Sequence, residues 1–105
     1  MANNKSKANR RIGIWQKTGG LCAHCGRKAS SREQTIDHYL PKSFGGGYDN
    51  RNLVPLCKTC NKARDNKPIN PAVFYKFAPQ WVVQQCLEYE KEFNLKYSSM
   101  GDADQ

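Results

Sequence analysis

The chain has 105 residues, 38% of them hydrophobic and 25% charged, with a formal net charge of +8 and a sequence pI near 9.4. That length holds one domain near the lower limit of what a hydrophobic core supports alone, so an added staple is expected. No apolar run is long enough to span a bilayer, and the basic start MANNKSKANRR has no apolar segment behind it; neither a membrane anchor nor a secretory leader is expected, and the setting is read as cytoplasmic (intracellular).

In chain order, residues 1–8 read as a flexible basic tail. Residues 9–17 read as a short helix with Ile12 and Trp15 on one side, ended by Thr18-Gly19-Gly20. Cys22-Ala23-His24-Cys25-Gly26 is a tight knuckle in which Gly26 can supply a positive φ. Residues 34–40 read as a strand stopped by Pro41, residues 43–50 as a Gly-rich loop, residues 53–56 as a second strand and residues 57–64 as a helix. Asn70-Pro71 is a helix start, Asn70 as N-cap and Pro71 at the first helical position, with Val73, Phe74 and Phe77 as the apolar face. Pro79 breaks that helix and begins another, on which Val82, Val83, Cys86, Leu87 and Phe93 recur at helical spacing. This stripe reads as core, with Cys86 a small buried hydrophobe. The expected organisation is thus a zinc-bound body over 9–67, a helical extension over 68–97 packed on the same domain, and a flexible tail over 98–105.

Four of the five cysteines form two Cys-x-x-Cys pairs, Cys22/Cys25 and Cys57/Cys60. In a reducing compartment such pairs are metal ligands more often than disulfides. Two pairs fill all four positions of a tetrahedral Zn²⁺, or of iron in its place, and leave none open, so the site is structural. The 31 residues between Cys25 and Cys57 exceed the ~15–20 of common zinc ribbons, so something is built between the halves. His24 is not needed as a ligand and reads as an exposed knuckle residue.

The positive excess surrounds the cysteines: residues 1–67 hold 14 Lys/Arg against 4 Asp/Glu, and residues 68–105 hold 3 against 5. A basic field of this kind attracts polyanions. Between the cysteine pairs lie Asp37 and His38 at a strand end, where the chain can twist both towards one site. Cys57 and Cys60 fix the start of the following helix, and with it Asn61.

The ordered set Asp37-His38-x-x-Pro41, Gly45-Gly46, Asn52-Leu53-Val54 and Cys57-x-x-Cys60-Asn61, preceded by Gly19-Gly20 and the first cysteine knuckle, resembles the HNH endonuclease family in its zinc-bearing, four-cysteine branch over residues 10–67. Asn61 stands where the last family His stands, making this a His-Asn-Asn variant, and Tyr39 replaces a small aliphatic residue. The resemblance implies an α+β fold: a small zinc-stapled ββα-metal (HNH, treble-clef-like) domain with a flanking N-terminal helix and C-terminal helices. It implies a metal-dependent DNA endonuclease, expected to nick, that leaves 5′-phosphate and 3′-hydroxyl ends. His38 would be the general base, with a reference pKa near ~6.5 suited to neutral pH. Asp37 and Asn61 would hold one catalytic Mg²⁺ or Mn²⁺, beside the structural Zn²⁺ on Cys22, Cys25, Cys57 and Cys60. Asn52 would brace the loop that carries His38. Lys42, Arg51, Lys58, Lys62, Arg64 and Lys67 surround the motif as DNA phosphate contacts, Arg64 foremost. The partner expected is double-stranded DNA with weak sequence preference, bound by a monomer or homodimer. The alternatives are a zinc-dependent nucleic-acid-binding module without catalysis and an electron carrier with iron on the four cysteines.

Overall fold

A computed structural model describes the backbone of residues 3–93 and 97–98, with side chains from residue 9 onward. Helix α1 (Asn3–Gln16) is followed by the cysteine knuckle, strand β1 (Gln34–His38), strand β2 (Leu53–Cys57), helix α2 (Lys58–Arg64), the one-turn α3 (Pro71–Phe74) and helix α4 (Gln80–Lys91). Short 3₁₀ turns at Lys42–Phe44 and Asn50–Asn52 shape the loop between the strands. A hairpin followed by a helix, with a four-cysteine cluster across them, is compatible with the expected zinc-stapled ββα arrangement with flanking helices.

The strands pair antiparallel from Gln34 opposite Cys57 to His38 opposite Leu53. Pro55 sits mid-strand without breaking the pairing. Its carbonyl points away from β1 and accepts from Ala23 N at 2.9 Å, so the N–H that proline lacks would also have faced away. That bond docks the knuckle onto β2. Helix α2 begins where β2 ends, with Cys57 as its N-cap, and stops at Asp65 and Asn66, both left-handed (φ 52° and 57°). Asn70 caps α3 as expected, its side chain accepting from Ala72 N at 3.0 Å, with Pro71 at the first turn.

One core joins α1, the cysteine knuckle, β2, the segment after α3, and α4. Trp15 of α1, Val54 and Leu56 of β2, Tyr75 beyond α3, and Val82 and Cys86 of α4 are buried together. Cys86 is fully buried, as its place on the apolar stripe predicts. Lys17 is also buried, its ammonium donating to Asn50 O (2.6 Å), Leu53 O (2.8 Å) and Gln85 Oε1 (3.0 Å), so the end of α1 is tied to β2 and α4.

Several local expectations are corrected. Helix α1 begins at Asn3, inside the segment expected as a tail; residues 1–2 and the 99–105 part of the expected C-terminal tail lie outside the described residues. Ile14 packs beside Trp15, while Ile12 is 51% exposed. Val73 and Phe77 are also half-exposed, and Pro71 and Tyr75 are the buried residues of that segment. The reason is that α3 lasts four residues and the chain leaves helical geometry at Tyr75 (φ −91°, ψ 54°), so a 3.6-residue period has no face to define.

Candidate active site and metal centre

The metal centre is built from two turns that present sulfur by different means. In the knuckle, Gly26 N donates to Cys22 O (2.9 Å) and Gly26 takes φ 75°, which turns Cys25 back towards Cys22. In the second half, Cys57 closes β2 and Cys60 lies one helical turn into α2. The four sulfurs lie within 4.8 Å of one another, and Cys25 Sγ is 4.0 Å from Cys57 Sγ. A tetrahedral ion with Zn–S bonds of ~2.3 Å requires sulfurs ~3.8 Å apart, so the set fits such an ion. Cys57 N and Arg27 Nη2 add N–H···S contacts, to Cys22 Sγ (3.3 Å) and Cys57 Sγ (3.5 Å). Burial works against ionisation of Cys57, but the Cys60 backbone and the hydrogen bonds from Cys60, Arg27 and Cys22 outweigh it and bring the thiol down to about 7. Burial pushes Cys22 and Cys60 up. Four thiolates this close need a cation among them.

His24 is half-buried rather than exposed. Its Nδ1 lies 2.7 Å from Phe74 O and its ring stacks on Phe74 at 4.1 Å. Phe77 N donates to Ala23 O (2.8 Å), and its ring lies where a side chain on Gly26 would sit. The segment after α2 therefore clasps the knuckle.

The polar residues between the cysteine pairs fall into two environments. Asp37 is only 3% exposed, and Oδ2 accepts from Arg64 Nη1 (2.6 Å) and Tyr75 OH (2.6 Å). Arg64 goes on to donate to His38 O (2.8 Å), Tyr39 O (2.7 Å), Tyr97 OH (2.7 Å) and Lys67 O (3.2 Å). The expectation that Arg64 meets a DNA phosphate is overturned: its side chain has no exposure and every arm of the guanidinium is engaged. Burial raises the Asp37 carboxyl above the usual range, against the pull of Arg64 and Tyr75. Burial alone would lower Arg64, yet Tyr75, Asp37 and Tyr97 hold it above its ordinary value.

His38, the next residue, has different neighbours. Its ring meets the Tyr48 ring edge-on at 4.8 Å, and Nε2 is buried without a partner among the described residues. Burial lowers its pKa, and the charges of Lys42 and Arg64 lower it further, so the neutral imidazole persists below the ordinary range. Asn52 is completely buried; its Oδ1 accepts from Leu40 N (2.7 Å) and its Nδ2 donates to Leu40 O (3.1 Å) and Gly47 O (3.0 Å). It thereby ties the segment following His38 to the glycine loop. At Gly46 a Cβ would fall 1.7 Å from Leu40 O, so that loop admits only glycine there. Asn61 Nδ2 donates to Thr35 Oγ1 (2.8 Å) and faces Ile36 O (3.4 Å), which fixes the amide so that its oxygen points away from β1.

Among the other expected phosphate contacts, Lys42, Lys58, Lys62 and Lys67 are exposed. Arg51 is paired with Asp49 (2.7 Å) and Glu92 (2.6 Å). Sequence reasoning missed Tyr75 and Tyr97, which complete the Arg64 network, and Tyr48 beside His38. The available signal was the number of tyrosines in so short a chain, since a buried tyrosine must find a partner for its hydroxyl.

Comparison with known proteins agrees with this geometry. Residues 22–67 match the family model of the HNH endonucleases. Over this segment, less than half of its length, the chain is similar to the HNH endonuclease family. It is 33% identical over 54 residues to the CRISPR-associated endonuclease Cas9 of Corynebacterium diphtheriae, covering 50% of this chain and 5% of that protein. It is 33% identical over 60 residues to the Cas9 of Actinomyces naeslundii, covering 55% of this chain and 5% of that protein. The chain thus spans about a twentieth of the length of these curated relatives. No solved structure gives a significant match. No helix among the described residues is long and apolar enough to cross a membrane.

Proposed function

We propose that the chain is a metal-dependent DNA endonuclease that nicks phosphodiester bonds, with His38 removing a proton from the attacking water and Asn52 bracing its loop. The observation that carries this reading is His38 itself: a neutral-tending imidazole at the end of a hairpin, with a ring nitrogen that no described residue satisfies. The oxygens left for a hard divalent ion are Asp37 Oδ1 and Asn61 Oδ1, since Oδ2 and the Asn61 amide nitrogen are engaged. This donor pair suits Mg²⁺ or Mn²⁺, which when bound would neutralise charge at the phosphate and on the departing oxygen. The protein supplies the rest: Asn52 and Arg64 hold the backbone from His38 to Leu40, and the cysteine cluster, with Zn²⁺ as the ion proposed for it, fixes α2 against the hairpin. The products are 5′-phosphate and 3′-hydroxyl ends.

One observation favours a second reading, a nucleic-acid-binding module without catalysis: half of the Asp37 carboxylate is committed to Arg64 and Tyr75. Plasmid nicking with added Mg²⁺ or Mn²⁺ separates the two. His38→Ala is expected to abolish nicking while DNA binding persists. Undiminished turnover by the variant removes the proposed base, and binding without nicking by the wild type supports the module.

A further inference from the structure

Tyr48 is half-exposed, lies in the glycine loop, and gathers two cations from distant parts of the chain. The Arg10 guanidinium, on α1, lies 4.9 Å from its ring centroid, and the Lys42 ammonium 5.0 Å. The same ring meets His38 edge-on at 4.8 Å. Arg10 precedes the family segment by a dozen residues, and neither it nor Lys42 has a carboxylate partner among the described residues. Two positive charges are thus held against one ring, beside an imidazole, although like charges repel; the electron-rich ring offsets that repulsion. No acidic side chain among the described residues pairs with either. A site of this kind takes an anion shared between two donors.

We infer that Arg10 and Lys42, organised by Tyr48, form a clamp for a backbone phosphate of the DNA strand next to the bond presented to His38. This deepens the endonuclease reading and rests on it. Arg10 and Lys42 contact the phosphate directly. Tyr48 is a positioning residue that acts through them, and the loop held by Asn52 and Gly46 keeps it beside the hairpin. Arg10 brings to the strand a fork that can engage two phosphate oxygens, and Lys42 a point charge. The clamp carries no base code, which accords with weak sequence preference.

The test is binding of the zinc-loaded full chain to a fluorescent DNA duplex across a salt series, without added Mg²⁺ or Mn²⁺, followed by single-turnover nicking. Arg10→Ala and Lys42→Ala should each reduce the slope of log affinity against log salt by ~0.9, or about fivefold in affinity near 0.15 M salt. Tyr48→Phe keeps the ring face and should behave as wild type, whereas Tyr48→Leu should weaken binding. In the Arg10→Ala/Lys42→Ala double variant, Tyr48→Leu should add nothing, because Tyr48 has no cations left to organise. Unchanged slopes in the single variants overturn the clamp, as does a wild type that does not bind DNA. A further loss from Tyr48→Leu in the double variant overturns it differently, by showing that the ring touches the strand itself. If the slopes change as expected but the wild type never nicks with Mg²⁺ or Mn²⁺, Arg10 and Lys42 remain a phosphate site, while its placement beside a bond to be cut falls with the endonuclease reading.

Discussion

Arg64→Leu is the substitution that most directly tests how the site is held together. In the wild type the guanidinium meets one carboxylate oxygen, three backbone carbonyls and the Tyr75 and Tyr97 hydroxyls, and has no exposed surface. Leucine fills much of the volume but leaves the Asp37 carboxylate with Tyr75 alone and strips the donors from His38 O and Tyr39 O. Breaking a buried ion pair from one side costs ~3–5 kcal/mol, against a total stability of ~5–15 kcal/mol for a domain. At ~4–8 °C per kcal/mol in a chain of this size, the melting temperature should fall by at least ~12 °C. Arg64→Lys keeps the charge without the planar fork and should lose less. Adding Asp37→Asn to Arg64→Leu should restore part of the loss, because no charge is then stranded. The assay is thermal unfolding by circular dichroism with zinc supplied. A variant that melts within a few degrees of wild type but binds DNA with a shallower salt slope would refute the buried role and return Arg64 to the surface.

Cys57→Ser, and chelation of the wild type, should each abolish cooperative unfolding, since structural zinc supplies ~10 kcal/mol or more at such sites. Unchanged melting of a preparation shown by elemental analysis to be metal-free would remove the structural ion. The pH profile of single-turnover nicking tests His38. The working form is the neutral ring, and its pKa in the fold lies below the ordinary ~6.5, so the rate should hold from pH 8 down to that value and decline only beneath it. Lys42→Gln removes one of the causes and should move the acid limb upward. A limb centred above the ordinary histidine value counts against the assignment.

What the sequence discloses of this molecule is what spacing can encode. Cys22/Cys25 and Cys57/Cys60 declare a four-sulfur cluster, the stretch before Pro41 and the apolar run at Leu53 declare two strands, and Asn70-Pro71 declares a helix start; each appears in the structure. The side-chain network was hidden because its members are far apart. Tyr75 and Asp37 are 38 residues apart, and their bond depends on α3 ending after four residues. Arg64 looked like a surface cation because one turn of α2 beyond Asn61 gives no hint that the chain folds back over it. Lys17 misleads in the same way: nothing local marks a lysine whose ammonium ends on two backbone carbonyls and a glutamine.

The clasp of the residues after α2 on the rest of the molecule bears on any attempt to transplant the motif. A fragment ending at Lys67 would keep all four cysteines, His38 and Asn61, yet it would lose the hydroxyls of Tyr75 and Tyr97 and the aromatic lid over Gly26. Its ligands would be intact, but an arginine and an aspartate meant for the interior would open to water. A host for this hairpin and helix must therefore bring two phenols of its own, or replace the buried charges with apolar residues of matching shape.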